Sequence, residues 1–192
     1  DALRNEEAKI MREVCRDVQI EPELLPLQNA NLDDRTNSAE KARLDVSCRG
    51  LWSSHQRTFF DIRVTHPSAT SNQDKSLPQL YSQHESLKKR LYNERILQVE
   101  KASFSPLVFS TTGGMGPECL SVNKRLAELI AGKRSESYSD VINHLRTKLR
   151  FALLRSILIA IRGERGRQSP REKPMENISF NLIPVEACYE AW

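Results

Sequence analysis

Two short segments of alternating polar and apolar residues, separated by only four residues, limit most strongly how this chain can fold. They are residues 44–52 (LDVSCRGLW) and residues 57–64 (RTFFDIRV). Because side chains of a strand alternate between its two faces, both patterns predict strands, and the short connection predicts an antiparallel hairpin. A turn centred near Ser53 places Asp45 opposite Asp61.

The apolar pattern provides a check on this register. In the proposed pairing, Ser47 lies opposite Phe59, and residues of equal parity face one another across the hairpin. The apolar positions of both strands then share one face, namely Leu44, Val46, Cys48, Phe60, Ile62 and Val64. A slip of one residue would mix the polar and apolar faces, so the pattern favours this register over its neighbours.

Helical spacing of apolar residues and breaks at glycine and proline predict the other elements. Helices are predicted over residues 5–18, 77–101, 117–131 and 138–162, a further strand over 105–112, a loop over 28–41, and an edge strand or extended connection over 24–27. The buried side of the second helix is predicted to hold Leu80, Leu87, Leu91, Ile96, Leu97 and Val99. The order helix, strand, strand, helix, strand, helix, helix predicts an α/β (α+β) domain with a small mixed β-sheet flanked by helices.

The length of 192 residues suits one domain, predicted over residues 1–165, with a basic, flexible extension over residues 166–192. No run of eighteen apolar residues is present, so no membrane partner is expected. The start of the chain lacks the order of a signal peptide and opens in a helical pattern, which suggests a piece of a longer protein. Four scattered cysteines indicate free thiols in a reducing, intracellular compartment.

The net charge of +4 is unevenly distributed. Nine Lys and Arg residues stand against two Glu between residues 144 and 173, and residues 88–95 carry a second basic cluster. Such clusters favour polyanions, above all nucleic acid. The residues predicted to contact nucleic acid are Lys88, Lys89, Tyr92, Arg146 and Arg150. Alternatively, these basic residues simply form the solvent-exposed face of a helix and bind no partner.

Asp45, Asp61 and Arg63 are the predicted catalytic residues. Two carboxylates on neighbouring strands suit Mg²⁺ or Mn²⁺, because hard cations prefer oxygen ligands and keep several waters. Arg63 lies two residues after Asp61 and therefore on the same face of its strand, where its charge can meet a phosphate. In an ordinary amphipathic hairpin the same residues would simply face solvent, as an ion pair of little energetic value.

At these residues the chain resembles the restriction-endonuclease-like, or PD-(D/E)XK, nuclease superfamily. Asp45 matches the first acid of its signature, and Asp61-Ile62-Arg63 matches the (Asp/Glu)-x-Lys element. Over roughly residues 10–165 the chain also looks like a domain of invertebrate mobile-element proteins, next to reverse transcriptases. The resemblance implies a core ordered helix–strand–strand–strand–helix–strand, a metal held by Asp45 and Asp61, and a Mg²⁺-dependent endonuclease that cuts DNA in the nucleus.

The chain departs from the family pattern at Arg63, where lysine is usual. Arginine can clamp a phosphate but cannot act as a base. Many relatives also carry a glutamate on the first helix, and the candidates here are Glu6, Glu7, Glu13 and Glu21. Two alternatives to the nuclease remain open. One is an inactive nuclease fold that only binds nucleic acid, and the other is a protein-interaction module with basic helices.

A glycine-rich segment, residues 113–116 (GGMG), follows the predicted strand 105–112 and precedes a helix. This arrangement suits phosphate binding at a helix N-terminus. The segment lacks the Lys-Ser/Thr of a P-loop and the spacing of a dinucleotide fingerprint, which favours a tight turn instead.

Overall fold

The predicted hairpin forms the centre of a four-stranded sheet in the computed structural model, which describes residues 2–27 and 32–165. The strands are β1 (Arg16–Ile20), β2 (Val46–Arg49), β3 (Arg57–Thr65) and β4 (Ser103–Ser110), and they lie in the order β1-β2-β3-β4. Strand β2 is antiparallel to both β1 and β3, whereas β3 and β4 are parallel. The sheet is therefore mixed.

Four α-helices flank the sheet. They are α1 (Ala2–Val14), α2 (Leu77–Arg95), α3 (Pro117–Arg134) and α4 (Tyr138–Arg165). The predicted class, a small α/β domain with a mixed sheet flanked by helices, is confirmed. Among the helices that the structure describes, none is long and apolar enough to cross a bilayer. The predicted C-terminal extension, residues 166–192, lies outside the described residues.

The predicted register of the hairpin is confirmed. Ser47 pairs with Phe59 and Val46 pairs with Phe60, so continuing the pairing by one residue places Asp45 across from Asp61. The reversal begins at Gly50, whose φ of 94° is a conformation that side-chain-bearing residues rarely adopt. The alternating pattern carried enough information to align these two strands, because one of the two faces packs into an apolar core.

The predicted helix over residues 5–18 is wrong beyond Val14. Residues 16–20 instead form strand β1, in which Arg16 pairs with Arg49 and Ile20 with Val46. The helical apolar spacing continues into this segment, but pairing with β2 satisfies its backbone groups and outweighs the local preference. The element order becomes helix, three strands, helix, strand, helix, helix. Residues 24–27 are an extended connection rather than a strand.

The sheet packs between two apolar clusters. Helices α1, α3 and α4 cover one face, where Val46, Cys48 and Phe60 are buried. Helix α2 covers the other face, where the cluster consists of Leu24, Ala42, Leu44, Phe59, Ile96, Ala102 and Phe104. The prediction that Leu44 shares a face with Val46 is therefore wrong. A bend at Asp45, just outside β2, interrupts the alternation.

Helix α2 presents a more polar buried side than its sequence suggests. Leu80 and Ile96 are buried as predicted, but Leu97 is 52% exposed, and Leu87, Leu91 and Val99 are only partly buried. The buried polar side chains of this helix are Tyr81, His84, Glu85 and Arg95. A π-helical segment, Ile96–Glu100, follows Arg95 and turns the last apolar residues away from the predicted face.

Arg95 explains why so polar a helix end can be buried. Its guanidinium donates hydrogen bonds to the carbonyl oxygens of Asn37, Ala39 and Leu25, at 2.8 to 3.0 Å. These three acceptors belong to the connection between β1 and β2. Since a buried charge needs such partners, Arg95 ties that connection to the end of α2.

Candidate functional site

Asp45 lies at the end of the β2–β3 pairing, and its side chain continues the hydrogen bonding of the sheet. Its backbone N–H donates to the carbonyl oxygen of Phe60 at 3.1 Å. Its Oδ2 then accepts a hydrogen bond from the backbone N–H of Ile62 at 2.6 Å. A carboxylate oxygen thus stands where the next backbone acceptor would be, which holds the Asp45 side chain beside β3.

Asp61 lies in the middle of β3 and is only 8% exposed. Its Oδ2 is 2.6 Å from Nζ of Lys88, which reaches it from helix α2. Burial raises the pKa of the Asp61 carboxyl above its usual value, the Lys88 ammonium opposes this, and the nearby Asp45 carboxylate raises the pKa further. The predicted solvent-facing alternative therefore does not hold for Asp61.

Arg63 contributes a second positive charge to the same side of β3. Its charge lowers the pKa of Asp61, and it also acts on His84 of helix α2. Burial, followed by the charges of Arg63, Lys75 and Lys88, lowers the pKa of the His84 imidazole, which is therefore neutral at pH 7. Nε2 of His84 lies 3.2 Å from Oγ1 of Thr65.

The structure thus brings Asp45, Asp61 and Arg63 together and adds Lys88 to them. Lys88 was predicted as a nucleic-acid contact, but here its ammonium meets a carboxylate. It also lies 5.7 Å from the centre of the Tyr92 ring, which packs against Phe104. The result is two carboxylates and two cations at the interface of β3 and α2, a charge balance suited to a metal ion and a phosphodiester.

Lys89 lies apart from this group. Its Nζ is 2.5 Å from Oε1 of Glu118 in helix α3, and the pair is partly exposed. The cation beside the Tyr92 ring is Lys88, which precedes it by four residues and therefore shares its face of the helix. Of the two adjacent lysines, only Lys88 is therefore positioned at the candidate site.

None of the four candidate glutamates joins the two aspartates in a metal-binding group. Among the described residues, no cluster of three or more His, Cys, Asp or Glu side chains could hold a metal ion. Glu7 is buried and accepts a hydrogen bond from Nδ2 of Asn123 at 3.3 Å. Glu13 pairs with Arg134 and Glu21 pairs with Arg4, whereas Glu6 lines a groove between α1 and α4.

The donor set of the aspartate pair fits a hard divalent cation bound mostly by water. Each carboxylate uses Oδ2 for its contact, with the Ile62 N–H or with Lys88. From the described part of the chain, neither Asp45 Oδ1 nor Asp61 Oδ1 accepts a hydrogen bond. Mg²⁺ is commonly held by one or two carboxylates together with waters and substrate phosphate oxygens.

The glycine-rich segment proves to be a tight turn whose helix N-terminus already meets a carboxylate. Oε1 of Glu85, from α2, accepts a hydrogen bond from the backbone N–H of Glu118 at 3.0 Å, in the first turn of α3. A Cβ added at Gly116 would overlap this oxygen, and one at Gly114 would overlap the hydroxyl of Tyr81. Glu85 occupies the place that a bound phosphate would take, which favours the tight turn.

The other two predicted nucleic-acid contacts, Arg146 and Arg150, lie on helix α4. Together they line a cleft against Gly113, Gly114, Met115 and Leu120. The structure therefore separates the predicted residues into two groups. One is the centre around Asp61, and the other is the cleft beside the end of β4.

Sequence reasoning missed the buried polar row of α2, which lies opposite β3 and β4. The row consists of Tyr81, His84, Glu85 and Lys88. Residues spaced by three, four and seven share one helix face, so the spacing was visible in the sequence. The prediction instead assigned the buried side of the helix from its apolar residues, several of which lie on other faces.

We compared the chain with models of protein families, with curated proteins and with solved structures, and none of the three comparisons found a match.

Proposed function

We propose that this chain is a metal-dependent DNA endonuclease of the restriction-endonuclease-like type. The single observation that carries the proposal is the meeting of Asp45 and Asp61 at the end of the β2–β3 pairing, with Lys88 2.6 Å from Asp61. Two acids and nearby cations on a rigid sheet are what hydrolysis of a phosphodiester needs. The resemblance in sequence at the same residues supports this proposal.

The order of the elements gives further support. From α1 to β4 the chain runs helix, strand, strand, strand, helix, strand, which is the order that the resemblance implies. Asp45 lies just before β2, and Asp61 and Arg63 lie on β3, as the two parts of the signature would. The strand that sequence reasoning missed, β1, is needed for this agreement.

In the proposed site, Asp45 and Asp61 hold Mg²⁺ or Mn²⁺. The metal, when bound, would polarise a phosphoryl oxygen and lower the pKa of a water. An arginine cannot act as a base, so Arg63 steadies the scissile phosphate and does not move a proton. Lys88 supplies the second cation, and the Tyr92 ring beside its ammonium limits the directions from which this charge can approach the substrate.

The resemblance extends the proposal to a biological role. The domain would cut the DNA target of a mobile element in the nucleus, next to a reverse transcriptase or another domain of a longer polyprotein. Contacts between basic side chains and the DNA backbone would give salt-sensitive binding with little sequence selectivity.

Incubation of the purified chain with supercoiled plasmid and Mg²⁺ or Mn²⁺ tests the activity. We expect nicking by the wild type, and none by Asp61→Ala or by the isosteric Asp61→Asn. Asp74→Asn, which changes an exposed aspartate before α2, serves as the matched control and should cut normally. Nicking by Asp61→Asn at the wild-type rate would remove Asp61 from the mechanism.

A nucleic-acid-binding module without cleavage is the second candidate. It is favoured by arginine at position 63 and by the finding that, in the described part of the chain, no third carboxylate joins the two aspartates in a metal-binding group. DNA retention without nicking, in both metals and at several pH values, would support this alternative. A protein-interaction module predicts instead that the wild type shows no salt-dependent retention of DNA.

A further inference from the structure

The basic residues of helix α4 divide between two sides of the helix. Lys148 and Arg155 line a groove against α1, together with the acidic Glu6. Arg146 and Arg150 face the opposite way and line the cleft beside the glycine-rich turn. In the sequence these residues formed one basic run, but in the fold only part of the run can face a single ligand.

The cleft beside the glycine-rich turn has the chemistry of a polyanion site. Its volume is about 210 Å³, and among residues 2–27 and 32–165 two guanidinium groups but no acidic side chain line it. Within the described residues, neither Arg146 nor Arg150 forms an ion pair. Gly113 has a φ of 88°, a conformation that favours glycine, and Cγ of Arg150 lies 3.7 Å from the position a Cβ would take there, which is an ordinary van der Waals distance.

Hydroxyl groups continue this surface toward the ends of β3 and β4. A second cleft of about 200 Å³ is lined by Thr111, Thr112 and Arg150 among others. Oγ1 of Thr111 lies 2.8 Å from Nδ1 of His66, and the N–H of Thr111 donates to the carbonyl oxygen of Thr65 at 2.9 Å. The N–H of Thr111 is thus already used within the sheet, whereas threonine hydroxyls commonly contact phosphate oxygens in protein–DNA complexes.

The clefts connect to the aspartate centre through strand β3. Thr65 follows Asp61 by four residues, which is about 13 Å along an extended strand. One DNA strand rises about 3.4 Å per nucleotide, so this distance corresponds to roughly four nucleotides. Because α4 packs on the other face of the sheet from Asp61, a backbone whose scissile phosphate lies at Asp61 and Arg63 reaches Arg150 and Arg146 by passing around the carboxyl ends of β3 and β4.

We infer that the DNA backbone binds across the carboxyl ends of β3 and β4, with Arg146 and Arg150 as a phosphate-binding pair several nucleotides from the cut. This inference rests on the proposed function for the identity of its ligand. It assigns a path to the DNA, and it excludes Lys148 and Arg155, which line the groove against α1, from that path.

Two double variants with equal loss of charge test the inference. Binding of the full chain to a fluorescein-labelled 30-base-pair duplex is followed by anisotropy in EDTA, from about 50 to 300 mM salt, where no metal and no cleavage intervene. Arg146→Gln/Arg150→Gln should raise Kd at least about tenfold and lower the magnitude of the log–log salt slope by about 1.8, because two phosphate contacts are lost. Lys148→Gln/Arg155→Gln should change Kd less than about twofold.

A third variant, Arg146→Lys/Arg150→Lys, keeps both charges and should retain the wild-type salt slope. It separates loss of charge from loss of folding, and thermal melting of all variants provides a further check. Equal weakening by both glutamine pairs, an unchanged Kd in Arg146→Gln/Arg150→Gln, or no binding by the wild type would overturn the inference. Because the assay contains no metal, absence of nicking would overturn the proposed function without touching this result.

Discussion

Nζ of Lys88, on helix α2, lies 2.6 Å from Oδ2 of Asp61, on strand β3. This contact joins the helix to the strand at the candidate site, and both side chains are largely withdrawn from solvent. The same carboxylate is proposed to hold a divalent cation. The ammonium and the metal therefore compete for one carboxylate. Because the two cations repel each other, each weakens the binding of the other to Asp61.

Substitution of Lys88 by methionine should strengthen metal binding. Two unit charges about 4 Å apart interact by about 1 kcal/mol even in water, so removal of the ammonium should raise the affinity for Mn²⁺ about fivefold or more at pH 8. Isothermal titration with Mn²⁺ measures the change. Lys89→Met removes the same charge one position along the helix, where the partner is Glu118, and should leave the affinity unaltered. A weaker or equal affinity in Lys88→Met would contradict the competition.

Glu7 should make the stability of the protein depend on pH. Burial raises the pKa of the Glu7 carboxyl from 4.5 to about 7, although Asn123 donates a hydrogen bond to it. Between these two pH values the folded protein keeps a proton that the unfolded chain has lost. The free energy of unfolding therefore falls as the pH rises through this window, by about 3 kcal/mol in total, and stays low above it.

Glu7→Gln removes this titration. The variant should be more stable than the wild type by about 3 kcal/mol at pH 8 and nearly equal to it at pH 4.5. Chemical denaturation at the two pH values measures the difference. Glu40→Gln, which changes an exposed glutamate of the connection between β1 and β2, is the control and should follow the wild type. If the difference in the free energy of unfolding between Glu7→Gln and the wild type is the same at both pH values, the Glu7 carboxyl does not titrate in this range.

The glycines around helix α3 should respond oppositely to alanine. A Cβ at Gly114 would overlap the hydroxyl of the buried Tyr81, so Gly114→Ala should lower the free energy of unfolding by about 1–3 kcal/mol. Gly132, in helix α3, has no neighbour within 4 Å of an added Cβ, so Gly132→Ala should raise it by about 0.5–1 kcal/mol. Urea denaturation of both variants provides the comparison. A stabilised Gly114→Ala would mean that Tyr81 moves aside without cost.

Much of the candidate site could be predicted because its two acids belong to one hairpin. The alternation of residues 44–52 and 57–64 aligned the strands correctly and placed Asp45 next to Asp61 before any coordinates were known. Local information sufficed because only four residues join these strands. Strand β1 was missed because its apolar residues continue the spacing of α1, and only the edge of β2 makes it a strand.

Contacts between distant elements had no such local signal. Nothing in the neighbourhood of Lys88 indicates that its partner is Asp61, or that Glu85 meets the first turn of α3. These two pairings depend on how α2 lies across the sheet. Burial of the polar row of α2 is favourable only when those partners are present.

Chain order and periodicity were thus enough for the hairpin, its register and the mixed α/β class, since each depends on residues close together along the chain. The acid–lysine contact, the burial of the polar row of α2 and the division of Arg146 and Arg150 from Lys148 and Arg155 came from packing alone. They depend on free energies of burial and charge pairing that exist only between surfaces brought together by folding.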